Sequence, residues 1–144
     1  MKRLIWIAMA AAMLTPLAAS AQFRDLDAAN SGLMRGFGNG EAQSIVAGIA
    51  KGDQVQLQFP GLVDQSGFFG RDQAADLLDL LFQRTHPVAY ETTNTRKASA
   101  EAQYYITALW TVQVGGKAEG RELYITLHNK NDHWSVVSIR AASK

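Results

Sequence analysis

Polar and apolar residues alternate through most of the second half of the chain. In Gln103–Val114, one face carries the side chains of Tyr104, Ile106, Ala108, Trp110 and Val112. A period of two is the spacing of a strand that buries one face. Arg121–His128 and His133–Arg140 repeat the pattern, and each follows a turn-forming segment, Gly115–Gly116 and Asn129–Asp132 respectively. The three segments predict a three-strand antiparallel meander.

Shorter strands are predicted before the meander. Gln54–Phe59 alternates between glutamine and apolar residues, and Pro60–Gly61 ends it as a turn. Phe68–Phe69 is interpreted as a brief returning strand, and Val88–Thr93 is a further candidate. The alternation predicts that the first of these strands buries one face only.

Apolar residues at three- and four-residue steps predict helices in the first half of the chain. The clearest is Arg71–Arg84, with an apolar stripe of Ala74, Leu77, Leu78, Leu81 and Phe82. That stripe must lie against the sheet. A shorter helix is predicted from Asp25, and we expect Gly36, Gly38 and Gly40 to break it. A second short helix is predicted to begin at an Asn39 N-cap and to close at Gly52.

The first residues have the three parts of a secretory signal. Lys2 and Arg3 form a positive region, Leu4–Leu17 is mostly apolar, and Ala19–Ala21 is a small-residue cleavage site before Gln22. The apolar run is shorter than the roughly 20 residues of a membrane-spanning helix. We therefore predict a signal peptide at residues 1–21, a single domain at 22–144, and a soluble product in the periplasm or outside the cell, with no membrane span after cleavage.

Charge and composition exclude several classes of function. Of the chain's 14 basic residues, Lys2 and Arg3 lie in the signal, so 12 remain against 13 acidic residues, a net charge of −1. This balance gives no footprint for nucleic acid. The chain contains no cysteine, which excludes disulfides and thiolate catalysis. With 47% hydrophobic residues, the domain can bury a sizeable core.

Several motifs resemble those of a known family. They are Val55–Gly61, Gly67–Gly70, Gln73–Ala74, Leu81–Phe82 and Arg121–Leu127. Together they resemble the domain of unknown function 4783 family, small exported bacterial proteins of the nuclear transport factor 2-like (cystatin-like cone) superfamily. The resemblance implies an α+β cone, in which N-terminal short helices and one long helix pack on a curved antiparallel sheet. It implies no activity, because none is assigned to that family.

The inward positions of the strands argue against catalysis. Enzymes of the wider superfamily carry acidic, tyrosine or histidine side chains inside the cone, whereas the inward residues assigned here are overwhelmingly apolar. No catalytic residue, metal ligand or cofactor is predicted. His128 and His133 flank a turn beside Asp132 and invite a metal-site interpretation, but they lack a third fixed ligand.

The aromatic residues favour a binding function. We predict a non-enzymatic module for a small apolar ligand or another protein. The residues predicted to line its pocket are Phe59, Phe69, Phe82, Tyr90, Tyr104, Trp110 and Trp134. The alternatives are a cone-fold isomerase, lyase or hydrolase whose polar site the sequence does not place, and an envelope accessory protein.

A second candidate surface lies on the opposite face of the strands. Tyr105, Leu109 and Tyr124 interrupt threonine and glutamine there, which is the uncharged composition of an interface core. The superfamily resemblance also implies pairing through the outer sheet face. We therefore predict a homodimer, and the alternative is a sheet with one ordinary wet face.

Overall fold

The computed structural model describes residues 22–98 and 102–143. The predicted signal peptide lies outside the described residues. The helices are α1 (Leu26–Asn39), α2 (Ala42–Val46) and α3 (Arg71–Thr85). The strands are β1 (Val55–Gln58), β2 (Gly67–Phe69), β3 (Pro87–Lys97), β4 (Gln103–Val114), β5 (Lys117–Lys130) and β6 (His133–Ala141).

The six strands form one sheet in the order β2-β1-β6-β5-β4-β3. All neighbouring pairs are antiparallel except β1 and β6, which run parallel. β4 has the predicted bounds. β3 and β5 are longer than predicted, since their polar ends also pair with β4, as far as Lys97 and Lys117. Gly115 and Gly116 have φ of 60° and 81°, the positive values that a two-residue hairpin turn requires.

The helices cover one face of this sheet. Leu77, Leu78, Leu81 and Phe82 of α3 are buried, as are the inward side chains of β4, β5 and β6. The predicted α+β cone with a long helix on a curved antiparallel sheet is therefore confirmed, and the parallel pair of β1 and β6 is the exception to the predicted strand direction. Within the described residues, no helix is long and apolar enough to cross a membrane.

The expectation that glycines break the first helix is wrong for Gly36 and Gly38. α1 runs through both and ends just before Gly40, whose φ of 72° turns the chain so that the N–H of Glu41 also donates to the Gly36 carbonyl oxygen, at 3.0 Å. The residue preceding α2 is Glu41 rather than Asn39. Gly36 is small because α2 packs directly on it, so a Cβ there would lie 2.2 Å from Cγ1 of Ile45.

The segment immediately after the predicted cleavage site is part of the fold. Phe23 exchanges two backbone hydrogen bonds with Trp134, of 2.7 and 2.8 Å. Its buried ring fills a slot beside Gly32 and Gly48, where added Cβ atoms would lie 2.6 and 2.1 Å from ring carbons. The first residues of the predicted mature chain thus join α1, the turn after α2, and β6.

Two alanine substitutions on α1 should have effects of opposite sign. Gly36→Ala places its Cβ against the fully buried Ile45, and overpacking of this kind lowers the free energy of unfolding by about 1–3 kcal/mol. At Gly38 the nearest atom would be 3.8 Å away, so Gly38→Ala should raise stability by about 0.5–1 kcal/mol through helix propensity. Urea unfolding of both variants measures this, and a stabilising Gly36→Ala would contradict the packing described.

Candidate binding surface

Three of the seven predicted pocket residues belong to an aromatic cluster inside the cone. Phe59, Phe82 and Trp110 are buried and surround Phe37 of α1, with ring centroids 6.4, 5.7 and 5.3 Å from it. The indole N–H of Trp110 donates to the Phe37 carbonyl oxygen at 2.8 Å. These rings occupy one another's contact surfaces, so the cone is filled at this point by its own side chains.

Tyr90 of β3 joins the same cluster from the side. Its ring stacks on Phe37, with centroids 6.0 Å apart and an interplanar angle of 16°. Its hydroxyl oxygen is buried, and no group in the described part of the chain meets hydrogen-bond geometry with it. Burial raises the pKa of Tyr90 above its usual value, and the nearby Thr92 side chain offsets part of that rise.

The remaining three candidates lie in two other places. Tyr104 and Trp134 form an edge-to-face pair with ring centroids 6.1 Å apart, and neither makes a ring contact with the Phe37 cluster. Phe69 is half-buried and lines a groove between β2 and α3. The structure therefore distributes the seven residues over a filled core, an aromatic pair and a surface groove.

Arg121 is a buried charge that the strand pattern did not single out. It is 6% exposed and faces inward on β5, in register with Trp110. Its Nε donates to Oε1 of Glu119 at 2.7 Å, and its Nη1 donates to the carbonyl oxygens of Pro60 and Ala142 at 2.8 and 3.2 Å. The side chain ties the loop after β1 and the end of β6 to β5. The sequence did contain a sign of this position. Arg121 is two residues before the inward-facing Leu123, and alternate residues of a strand lie on the same face.

The two hairpin histidines are not directly opposite each other. His128 pairs with Ser135, and His133 pairs with Lys130. Nδ1 of His133 lies 2.9 Å from the carbonyl oxygen of Asn131. Within residues 22–98 and 102–143, no group of three histidine, cysteine or acidic residues is arranged to hold a metal ion.

The predicted interface residues come together on the outer face of the sheet. Leu109 and Tyr124 are 43% and 38% exposed, and Tyr105 is half-buried. In the β4–β5 register, Tyr105 lies opposite Thr126 and Tyr124 lies opposite Thr107. The two tyrosines are therefore diagonal neighbours, separated by threonines.

Arginine side chains flank the two tyrosines. The guanidinium carbon of Arg96 on β3 lies 4.9 Å from the ring centroid of Tyr105, and that of Arg140 on β6 lies 5.8 Å from the centroid of Tyr124. These distances are within the range of cation–π attraction. The Tyr124 hydroxyl donates to Oε2 of Glu122 at 2.8 Å, and this bond raises the pKa of Tyr124.

A shallow hollow lies between these pairs. It has a volume of about 440 Å³, and the residues that line it are Asn94, Arg96, Tyr105, Ile106, Thr107, Tyr124, Ile125, Thr126 and Arg140. Hydroxyl, amide and guanidinium groups surround two aromatic rings. This composition matches the enrichment of tyrosine and arginine at protein interfaces. We refer to Arg96, Tyr105, Leu109, Tyr124 and Arg140 as the outer-face patch.

Comparison with solved structures identifies the class of fold. No family model matches the chain, and no curated protein matches it. Solved structures do match. A ketosteroid isomerase-like protein from Erwinia carotovora atroseptica is 17% identical, with a TM-score of 0.57 over 83% of this chain and 94% of that one. The protein has the nuclear transport factor 2-like fold.

Solved structures from the family that the sequence motifs resemble also match this chain. A domain of unknown function 4783 (DUF4783) family protein from Bacteroides uniformis is 13% identical, with a TM-score of 0.65 over 79% of this chain and 95% of that chain. A protein of the same family from Bacteroides ovatus is 14% identical, with a TM-score of 0.63 over 79% and 96%. The predicted resemblance is confirmed at the level of the fold, which is all that such identities establish.

Removing the Tyr90 hydroxyl should change how stability depends on alkaline pH. Because its folded-state pKa is raised, the unfolded chain loses the Tyr90 proton first, so stability falls as pH rises above about 10. Tyr90→Phe abolishes this loss. It also removes a buried hydroxyl without a fitting partner, so its stability at neutral pH should equal or exceed that of the wild type. Urea unfolding at neutral and alkaline pH tests both, and parallel pH profiles for the two proteins would contradict the assignment.

Proposed function

We propose that the protein is an exported, non-enzymatic binding module that pairs with a second copy of itself through the outer face of its sheet. The observation that carries the proposal is the outer-face patch. Leu109 and Tyr124 expose apolar surface there, beside arginines that lie over the tyrosine rings. A folded protein gains by covering such a surface with a partner.

The contents of the cone support a binding function rather than catalysis. In the described part of the chain, the buried polar or charged side chains are Thr85, Arg121 and Ser135. None of them is a carboxylate or an imidazole, the groups that serve most often as general bases. Thr85 donates to the Leu81 carbonyl oxygen and Arg121 is held by three acceptors. The alternative of an isomerase- or lyase-like enzyme has no such support.

Export is the second part of the proposal and rests on the first 21 residues. Their charged, apolar and small-residue segments have the order of a cleaved signal, which places the mature protein in the periplasm or outside the cell. Cleavage after Ala21 would leave Gln22 as the first residue, directly before the Phe23 slot. Signal removal is therefore compatible with the packing of the mature N-terminus.

Two single substitutions should dissociate the proposed homodimer without unfolding the monomer. Tyr124→Glu faces Arg140, and Leu109→Lys faces Glu122, so each new charge has an opposite charge beside it in the monomer. In a dimer the same charge would be buried, so we expect the dissociation constant to rise at least about tenfold. Light scattering over a concentration series measures it.

Met34→Glu is the matched control for these variants. Met34 is 55% exposed and lies on α1, away from the outer sheet face, so this charge should leave the association unchanged. A wild-type protein that is monomeric at high micromolar concentration would overturn the homodimer. Equal dissociation by all three variants would show that the outer-face patch is not the interface.

Export is tested separately by expression in a Gram-negative host. The periplasmic fraction should contain a chain whose intact mass is that of residues 22–144. Cleavage is expected before Gln22 because Ala19 and Ala21 occupy the small-residue positions of the cleavage site. Ala19→Lys together with Ala21→Lys should leave the precursor uncleaved. A full-length chain in the cytoplasm from the unmodified sequence would contradict the prediction.

A further inference from the structure

A groove runs along the free edge of the sheet, between β2 and α3. Its volume is about 420 Å³, and it is lined by Gln65, Phe68, Phe69, Gln73, Asp76, Leu77 and Leu80. β2 is the outermost strand on this side. The groove shares no residue with the outer-face patch, so an occupant here is independent of the proposed dimer.

Four of the seven residues that line the groove are apolar. Phe68 is 65% exposed, the largest fraction among the exposed large hydrophobic side chains of the described residues. Phe69 and Leu80 are half-buried and pack against the core, while Leu77 is buried beneath them. Apolar residues with a few polar groups among them are the usual lining of a small-molecule site.

The polar groups of the groove favour a positively charged ligand. Gln65 and Gln73 are neutral amides, and Asp76 is the one charged residue among the seven that line it. Asp76 is exposed. It does not take part in the ion pair found in the described residues, which joins Arg121 to Glu119. The Asp76 carboxylate attracts a cation and repels an anion.

We propose that the groove between β2 and α3 binds a small organic cation, with an ammonium or guanidinium group on an aliphatic or aromatic body. The body lies on Phe68, Phe69 and Leu80, where it covers apolar surface that is otherwise in water. The cationic group lies at Asp76. A volume of about 420 Å³ is in the range of pockets that hold small ligands.

Three compounds with the same body and different charges test the proposal. The isotopically labelled protein is titrated at neutral pH with 4-phenylbutylamine, 4-phenylbutanol and 4-phenylbutyrate, and amide chemical shifts are followed by NMR. We expect the amine to bind about tenfold more tightly than the carboxylate, with the alcohol between them. The shifts should centre on residues 65–80.

Two matched aspartate variants locate the charge effect. Asp76→Asn should bring the affinity for the amine down to that for the alcohol. Asp79→Asn should not, because Asp79 is also exposed on α3 but lies outside the groove. Phe68→Ser should weaken all three compounds, since it removes the shared apolar contact. Asp76 and Phe68 are both exposed, so the fold should survive both substitutions, and amide shifts that change only near the substituted residue in the absence of ligand show that it does.

Several results would overturn the inference. They are the absence of saturable shifts with the amine in the millimolar range, equal affinity for the amine and the carboxylate, equal effects of the two aspartate variants, or shifts centred on another surface. None of these outcomes depends on whether the protein dimerises, because the groove and the outer-face patch are separate. Failure here therefore leaves the proposed function standing, and the reverse also holds.

Discussion

The packing of other residues around one side chain, Phe37, fills the interior of this cone. Its ring contacts residues from the loop after β1, from α3, from β3 and from β4. Its carbonyl oxygen accepts the indole proton of Trp110, the one polar group of that side chain. Burying a tryptophan without a partner for its N–H is costly, so the bond and the ring packing support each other. The interior around Phe37 is therefore closed by the core's own side chains.

Because the core is filled around Phe37, both candidate binding surfaces lie at the molecular surface, one on the outer face of the sheet and one in the groove between β2 and α3. The outer face offers hydroxyl and aromatic groups in its centre, with arginines over the tyrosine rings and Glu122 bonded to Tyr124. Such side chains are partly ordered before a partner arrives, which lowers the entropy cost of association. Tyrosine also provides a large contact area with few rotatable bonds. The groove between β2 and α3 has neither the tyrosines nor the arginines of the outer-face patch. Its recognisable features are its shape and the single carboxylate of Asp76.

Regular patterns of apolar and polar residues made much of the fold predictable from the sequence. The side-chain contacts between elements could not be predicted in this way. The alternation in β4 and the stripe of α3 predicted both elements because one face of each is buried. Gly36 was misinterpreted because the reason for its small size is Ile45, a residue on another helix. Arg121 was missed because a charged residue at an inward position is exceptional, and two of its three acceptors, the carbonyl oxygens of Pro60 and Ala142, come from distant parts of the chain. Phe69 was predicted to line a pocket, but its groove depends on how β2 pairs with β1.

The edges of the sheet explain why its face is the better surface for association. An unpaired edge strand can recruit another chain, and proteins protect such edges with irregularities, charges or short strands. β3 has register shifts at two points, between Pro87 and Ala89 and between Thr92 and Asn94, and it ends in Arg96 and Lys97. β2, at the other edge, has three residues. Both edges therefore resist strand addition. The centre of the outer face, where tyrosine and threonine side chains of β4 and β5 alternate, has no such protection, so a partner that covers β4 and β5 face to face meets the least resistance there.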